Sequence, residues 1–252
     1  MASPEVRILA VIPARHASTR FPGKVLAPIA GRPMIQHVFE RVRRSRLVSR
    51  VVVATDDAGI QKAVEGFGGE AMITRRDHRT GTDRIAEVAV QQEADIYVNV
   101  QGDEPLIDPG TIDALIGAVL EDESIQIAGP CVAITQAQDI MDPNITKVAR
   151  DFEGNALYFS RAPIPWVRDR GEPVAARHWK HIGLYAFRRE TLLDFPTLPP
   201  GELEHIEQLE QLRWLENGYR IRIVESDYDA VSVDVPADIE RVEKLLRRNA
   251  AS

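Results

Sequence analysis

The segment Ile8-Leu9-Ala10-Val11-Ile12-Pro13-Ala14-Arg15-His16-Ala17-Ser18-Thr19-Arg20-Phe21-Pro22-Gly23-Lys24 carries more information than any other in this chain. Residues 8–12 form an unbroken apolar run, which reads as a strand buried on both faces. Three fixed cations, Arg15, Arg20 and Lys24, then fall within ten residues. Ala14, Ala17, Ser18 and Gly23 are small enough to let backbone N–H groups come close to a ligand. A cationic loop at the carboxyl end of a first strand is where α/β sheets bind phosphorylated ligands. The segment points to a grip on a nucleoside triphosphate, although it has neither the Walker spacing nor the glycine turn of a dinucleotide site. Taken alone, the loop also reads as a solvated basic turn.

Working outward, strand and helix signals alternate. Apolar runs at residues 51–54, 71–73 and 96–100 read as strands. Pro33 opens a helix with Met34, Val38, Val42 and Phe39 on its apolar face, and Gly68-Gly69 ends the next. Residues 82–92 and 111–120 read as further helices. This rhythm predicts an α/β fold with a Rossmann-like, mixed but mostly parallel sheet flanked by helices. After residue 140 the rhythm breaks. Residues 147–150 and 156–159 flank a turn and predict an antiparallel hairpin. Residues 181–187 read as one strand, and 163–177 as an exposed loop. Leucine and isoleucine at 203, 206, 209, 212 and 215 predict one helix ending at Gly218. A strand at 219–224 and a last helix opened by Pro236 complete the chain.

Composition sets bounds. With 252 residues and 44% apolar content, the chain can form one large α/β domain with a substantial insertion. A net charge of −7 argues against a nucleic-acid footprint, so the cationic loop suits a small polyanion. Cys131 is the only cysteine, which excludes an intrachain disulfide and a Cys-rich metal site. No apolar leader precedes Arg15 and no run reaches membrane-spanning length, so a soluble, cytoplasmic protein with no membrane partner is expected.

Several polar constellations sit where strands end. In Asn99-Val100-Gln101-Gly102-Asp103-Glu104-Pro105, Asp103 follows an apolar strand and can hold Mg²⁺, which takes one or two carboxylates and completes its shell with phosphates and water. Asp234, in Val231-Ser232-Val233-Asp234-Val235-Pro236, reads as following a strand and preceding a helix; helix capping is its plain alternative. Two such carboxylates and a cationic loop can converge at the ends of a parallel sheet. In the loop at residues 74–84, Thr80 or Thr82 can cap a helix and Arg84 can reach an anion. His181 and Tyr185, four apart on a strand, share a face. Arg161 can hold a carboxylate, and Glu210 and Gln211 can accept sugar hydroxyls. Read alone, these last residues are better accounted for by structural roles: a strand histidine is usually a satisfied structural residue, and a Glu-rich helix can simply have a solvated face.

Taken in order, the motifs IPARHASTRFPGK, GRPMIQHV, VVVATDD, TRRDHRTGTDR, VNVQGDEP, DPN-TKV, ALYFSRAPIPW, HIGLYAFRR, LEHIEQLEQLRWLENG and VDVPADIERV resemble the 3-deoxy-manno-octulosonate (Kdo) cytidylyltransferase family over almost the whole chain. The resemblance implies a reaction of Kdo with CTP to give CMP-Kdo and pyrophosphate, with Mg²⁺ as cofactor, for lipopolysaccharide or capsule. It implies phosphate handling by Arg15 and Lys24 with help from Arg20, and metal binding by Asp103 and Asp234. Ala14, Thr80 and Arg84 lie in nucleotide-contacting segments. Gln101, Arg161, His181, Tyr185, Glu210 and Gln211 match positions around the sugar acid. The resemblance further implies a homodimer, with roughly residues 140–200 inserted into a single nucleotidyltransferase domain (1–252) as a smaller, partly antiparallel sugar-binding and dimerisation region.

The chain departs from the family pattern at two places. Where HQSGT is common it has His78-Arg79-Thr80-Gly81-Thr82, which keeps a hydroxyl and adds a cation. Where GVDTP is common it has Ser232-Val233-Asp234-Val235-Pro236, which keeps the carboxylate and loses a hydroxyl. Related substrates, 8-amino-Kdo or a sialic acid, therefore stay open, as does a non-catalytic nucleotide-binding regulator. An NAD-dependent oxidoreductase does not fit, because Pro13-Ala14-Arg15 replaces the glycine-rich turn.

Overall fold

Strand β1 (Ile8–Ala14) sends alternate side chains to opposite faces of a sheet, and both faces are covered. Ile8, Ala10 and Ile12 join one core, while Leu9 and Val11 join another. The computed structural model describes residues 6–16, 21–168 and 178–250. Arg20 and residues 169–177 of the charged loop lie outside the described residues.

After β1 come a small ribbon, β2 (Pro28–Ile29) and β3 (Arg32–Pro33), then α1 (Met34–Val42), β4 (Arg50–Thr55), α2 (Ala58–Gly66) and β5 (Ala71–Ile73). Next are α3 (Gly81–Gln91), β6 (Ile96–Asn99), α4 (Pro109–Glu121), β7 (Ile127–Ala133) and α5 (Ala137–Met141). The hairpin β8 (Lys147–Arg150) and β9 (Ala156–Ser160) is followed by β10 (Trp179–His181) and β11 (Tyr185–Arg188). The chain closes with α6 (Arg189–Asp194), α7 (Glu202–Glu207), α8 (Gln211–Glu216), β12 (Ile221–Glu225) and α9 (Asp238–Ala250).

Ten strands form one sheet in the order β5-β4-β1-β6-β11-β7-β10-β8-β9, with β12 beside β7. The pairings make seven strands run one way and three (β9, β10 and β11) the other. Helices α1, α2 and α4 cover one face through residues such as Ile35, Val38, Ile60 and Leu115. Helices α3, α6 and α8 cover the other through Ile85, Val88, Leu192 and Trp214. A third cluster of Ile29, Met34, Leu106, Val233 and Val242 seats α9 against the start of α1. That contact returns the C-terminal segment to the ends of β1 and β6. The expected architecture is therefore observed.

Four local expectations need correction. The stretch 203–215 is two helices, because Gln208 adopts a left-handed conformation (φ 53°) between them. Arg161 causes the break: its Nε donates to Glu207 O at 2.7 Å and its Nη2 to Gln208 O at 3.3 Å, taking carbonyls a continued helix would use. Leu203 and Ile206 consequently face solvent. The stretch 181–187 is two strands lying along β7, interrupted at residues 182–184, where Ile182 N donates to Pro130 O. Residues 231–233 form no strand; one backbone bond, Val233 N to Asp103 O at 2.9 Å, docks them instead. Pro33 ends β3 and precedes α1 rather than entering its first turn.

Lys147 anchors the antiparallel end of the sheet. It is buried, and its ammonium donates to the carbonyls of Asp142 (2.8 Å), Ile145 (2.6 Å) and Arg161 (2.6 Å). Lys147→Met leaves these acceptors without their shared donor. We expect it to lower unfolding free energy by about 2–4 kcal/mol in urea titrations; a change below about 0.5 kcal/mol would contradict this role.

Candidate active site

The carboxyl ends of β1, β4 and β6 open on one side of the sheet, where α/β proteins bind ligands. Three chain segments meet there. Lys24 lies beyond β1, Asp103 beyond β6, and Asp234 before α9. The Lys24 ammonium forms a short ion pair with the Asp103 carboxylate, donates to Val233 O at 3.2 Å, and lies 3.5 Å from Asp234 Oδ1. The predicted pairing of the two carboxylates is present, with the loop's lysine between them. Asp238 Oδ2 accepts from the backbone N–H groups of Asp234 (2.8 Å) and Val235 (2.9 Å), so a second acid does the local capping.

Gly102 permits this approach. A Cβ there would come within 3.1 Å of Pro13 O, so the turn after β6 packs on the backbone at the end of β1. Glu104, the next acid after Asp103, is buried; burial first, and then the Asp103 charge, push its pKa up to about 8. Both effects disfavour the charged form of Glu104.

On the β1–β4 side, Ala14 is buried at the strand end and Arg15 follows it. Thr80 caps α3: its hydroxyl accepts from Asp83 N, and Asp83 returns the bond to Thr80 N, both at 3.1 Å. Arg84, one turn on, is fully buried; burial lowers its pKa, the Asp56 charge raises it, and the Arg15 charge lowers it.

On the β6–β11 side a buried polar group gathers. His181 Nε2 and Tyr185 Oη lie 2.6 Å apart, and His181 Nδ1 is 3.1 Å from Pro130 O. Burial pushes the His181 pKa down to about 4 and the Tyr185 pKa well up. A neutral imidazole then donates from Nδ1 to Pro130 O and accepts a hydrogen bond from the Tyr185 hydroxyl at Nε2. Gly129 leaves room for the pair, since a Cβ there would lie 3.2 Å from the Tyr185 ring and 3.3 Å from His181. Gln101 Nε2 donates to Gly183 O at 3.1 Å, inside the interruption between β10 and β11. Glu210 Oε1 accepts from Thr82 Oγ1 at 3.1 Å while Oε2 is buried with no partner, and burial raises its pKa. Gln211 is buried beside it in the first turn of α8. A cleft of about 300 Å³, lined by Arg79, Thr80, His205 and Glu210 among others, opens here.

Arg161 is used differently from the rest. Besides the two carbonyls at the α7–α8 break, its Nη1 donates to Pro143 O at 3.0 Å, and its backbone N–H donates to Glu207 Oε2 at 2.9 Å. It braces the turn leading to Glu210. Asn99, not singled out from the sequence, belongs with the buried polar group. It is in register with Val11 and Tyr185, has no exposed surface, and neither amide atom has a partner. A polar residue closing an otherwise apolar strand was its only signal.

The His181 environment has a measurable consequence. The unfolded imidazole takes a proton near pH 6.5, whereas the folded one refuses it until about pH 4. Stability from this group is thus present above pH 6.5 and is lost as pH falls toward 4. His181→Gln is expected to flatten the fall of Tm across that window; an unchanged Tm–pH slope would contradict the buried neutral assignment.

Residues 9–223 match the family described as Cytidylyltransferase. A 3-deoxy-manno-octulosonate cytidylyltransferase of Geotalea uraniireducens (strain Rf4) is 52% identical over 251 residues, covering 96% of this chain and 100% of the relative. One from Geobacter sulfurreducens (strain ATCC 51573 / DSM 12127 / PCA) is 53% identical over 249 residues, covering 95% and 100%. A solved structure, described as CMP:2-keto-3-deoxy-manno-octonic acid synthetase complexed with CTP, matches with a TM-score of 0.92 at 44% identity, over 96% of this chain and 99% of the other. With its fold and nearly its whole length in common with these proteins, the chain belongs to the 3-deoxy-manno-octulosonate cytidylyltransferase family.

Proposed function

We propose that this chain transfers the cytidylyl group of CTP to the anomeric hydroxyl of Kdo, giving CMP-Kdo and pyrophosphate. The observation that carries this reading is the meeting of Lys24, Asp103 and Asp234 at the open ends of β1 and β6. In the reaction the C2 hydroxyl oxygen bonds to the α-phosphorus, the bond from that phosphorus to the β-phosphate bridge breaks, pyrophosphate leaves, and the hydroxyl proton is released. Arg15 and Lys24 bind phosphate oxygens and stabilise the charge that develops on the leaving group. Gln101, His181, Tyr185, Glu210 and Gln211 line the sugar side, with Asn99 added to them and Arg161 bracing the Glu210 turn.

The donor set suits Mg²⁺. Asp103 and Asp234 offer two hard oxygen donors, and no group of three or more His, Cys, Asp or Glu gathers among the described residues. A cation held here takes its other ligands from phosphates and water, the habit of Mg²⁺ rather than of a closed zinc site. Bound there, Mg²⁺ supplies charge neutralisation of the triphosphate. Lys24 already offsets one of the two carboxylate charges, so the pair is held together before any ligand arrives.

In this reading residues 140–168 and 178–200 contribute to the sugar-side wall and to the homodimer contact. The edge strand β9 exposes Leu157, and Met141 and Trp166 are exposed nearby in sequence. Among the described residues no helix is long and apolar enough to cross a membrane. In this reading the enzyme works in the cytoplasm, where CTP is supplied, and its product enters lipopolysaccharide.

Pyrophosphate release from CTP and Mg²⁺, measured side by side with Kdo, 8-amino-Kdo and a sialic acid, tests the proposal. Release with Kdo is expected. Preference for another acid would keep the reaction and change the substrate; no release from folded protein would favour a nucleotide-binding regulator. Asp103→Asn is expected to cut turnover by about 10²–10³ with little change in Tm, and near-normal turnover would remove Asp103 from the site.

A further inference from the structure

Arg84 is buried with its hydrogen bonding incomplete. Its Nη1 donates to Thr74 Oγ1, and the Thr74 hydroxyl in turn donates to Thr55 O at 3.1 Å. Its Nη2 lies 3.5 Å from Asp56 Oδ2. Nε and Nη2 find no hydrogen-bond acceptor, although the side chain has no exposed surface. Buried donors are ordinarily paired, so a guanidinium left this way is built to receive acceptor atoms from something else.

The surroundings say what kind of group that is. Arg15 is near enough to oppose the Arg84 charge, and Asp56 is the acid that supports it most. Glu87 also supports the Arg84 charge but is engaged by His78 and the Arg75 backbone, so Asp56 is the acid beside the guanidinium, whose unfilled donors suit an acceptor-rich ligand. Asp56 and its neighbour divide two tasks. Asp57 caps α2, accepting from Ile60 N at 2.9 Å, which leaves Asp56 to Arg84.

The order of the sheet places this cluster. Lys24 and the two metal-type carboxylates stand over β1 and β6, and the His181–Tyr185 pair stands on the far side of β6. With the reacting phosphates in the middle and the sugar acid on one side, the nucleoside half of CTP is left with the side over β1, β4 and β5. Asp56 and Thr74 follow β4 and β5 there.

We infer that Asp56 is a positioning residue of the nucleotide site: with Thr74 it sets the Arg84 guanidinium so that Nε and Nη2 meet acceptor atoms of the nucleotide. The inference rests on the proposed cytidylyl transfer and deepens it. Asp56 touches no substrate; it acts through Arg84.

The test uses the full chain carrying Asp56→Asn, with Asp57→Ala as the control for a lost helix cap. Asp56→Asn is expected to raise the KM for CTP by about tenfold or more while kcat stays within about threefold and the KM for Kdo is unchanged. Its ligand-free Tm stays near wild type, the rise in Tm on adding CTP shrinks, and Asp56→Glu restores part of that rise. Asp57→Ala lowers Tm without moving the KM for CTP. An Asp56→Asn protein whose KM for CTP lies within about twofold of wild type would overturn the inference. So would equal losses in kcat, in both KM values and in ligand-free Tm, the pattern of a purely structural ion pair. Should Asp56→Asn not fold, Thr74→Val carries the same comparison. Wild-type protein that releases no pyrophosphate would overturn the proposed reaction, while the Tm rise with CTP would still decide the role of Asp56.

Discussion

The Lys24 ammonium, held between the carboxylates of Asp103 and Asp234, is the interaction on which the rest of the site depends. Two acids placed this close repel each other unless a cation stands between them. The lysine removes that repulsion and ties together segments separated by 79 and 210 residues. The fold is arranged to make the meeting: β1 and β6 are adjacent and parallel, Gly102 lets their ends touch, and α9 is seated so that Val233 can bond to Asp103. Because the lysine sits in the place of a cation, the carboxylates are organised before a metal or a triphosphate binds. Preorganisation of this kind lowers the cost of assembling charge at the moment of reaction.

From that centre the sheet order lays out the ligand in a line. Cationic groups and their supporting acid stand over β1 and β4, the carboxylates over β6, and a neutral buried His–Tyr pair beyond. The electrostatic character changes along the same line, from a buried guanidinium supported by an acid, through paired charge, to hydrogen bonding without charge. That sequence suits a polyanion joined to a polyhydroxylated acid. The cations of the first loop are local in a chain of net charge −7, and Lys24 among them is opposed by Asp103 and Asp234.

Much of this was legible in the sequence because the decisive elements are continuous in it. Buried strands announced themselves as unbroken apolar runs, and Arg15, Asp103 and the Thr80 cap sat where those runs ended. Less was legible wherever a contact from a distant segment decided the outcome. The leucine spacing through 203–215 reads as one helix, yet Arg161, some 46 residues away, takes the carbonyls at its middle. The strand through 181–187 breaks because Ile182 bonds to Pro130 on β7. Asp234 reaches the site through one backbone bond rather than a strand ladder, which periodicity cannot reveal. Nothing in the sequence separates Asp56 from Asp57; only the distances give the helix cap to Asp57 and the ion pair with Arg84 to Asp56. Local chemistry was readable from the chain; the division of labour among similar residues needed their distances.

The central claim is that Asp103 and Asp234 act as one unit around Lys24. A double-mutant cycle on turnover, with Asp103→Asn, Asp234→Asn and the double variant measured by pyrophosphate release at saturating CTP and Mg²⁺, tests it most directly. Groups that work as a unit lose nearly everything when either is removed. The account predicts that the double variant turns over about as slowly as the worse single variant. Losses that multiply across the two sites would show that the carboxylates act independently, and would contradict it.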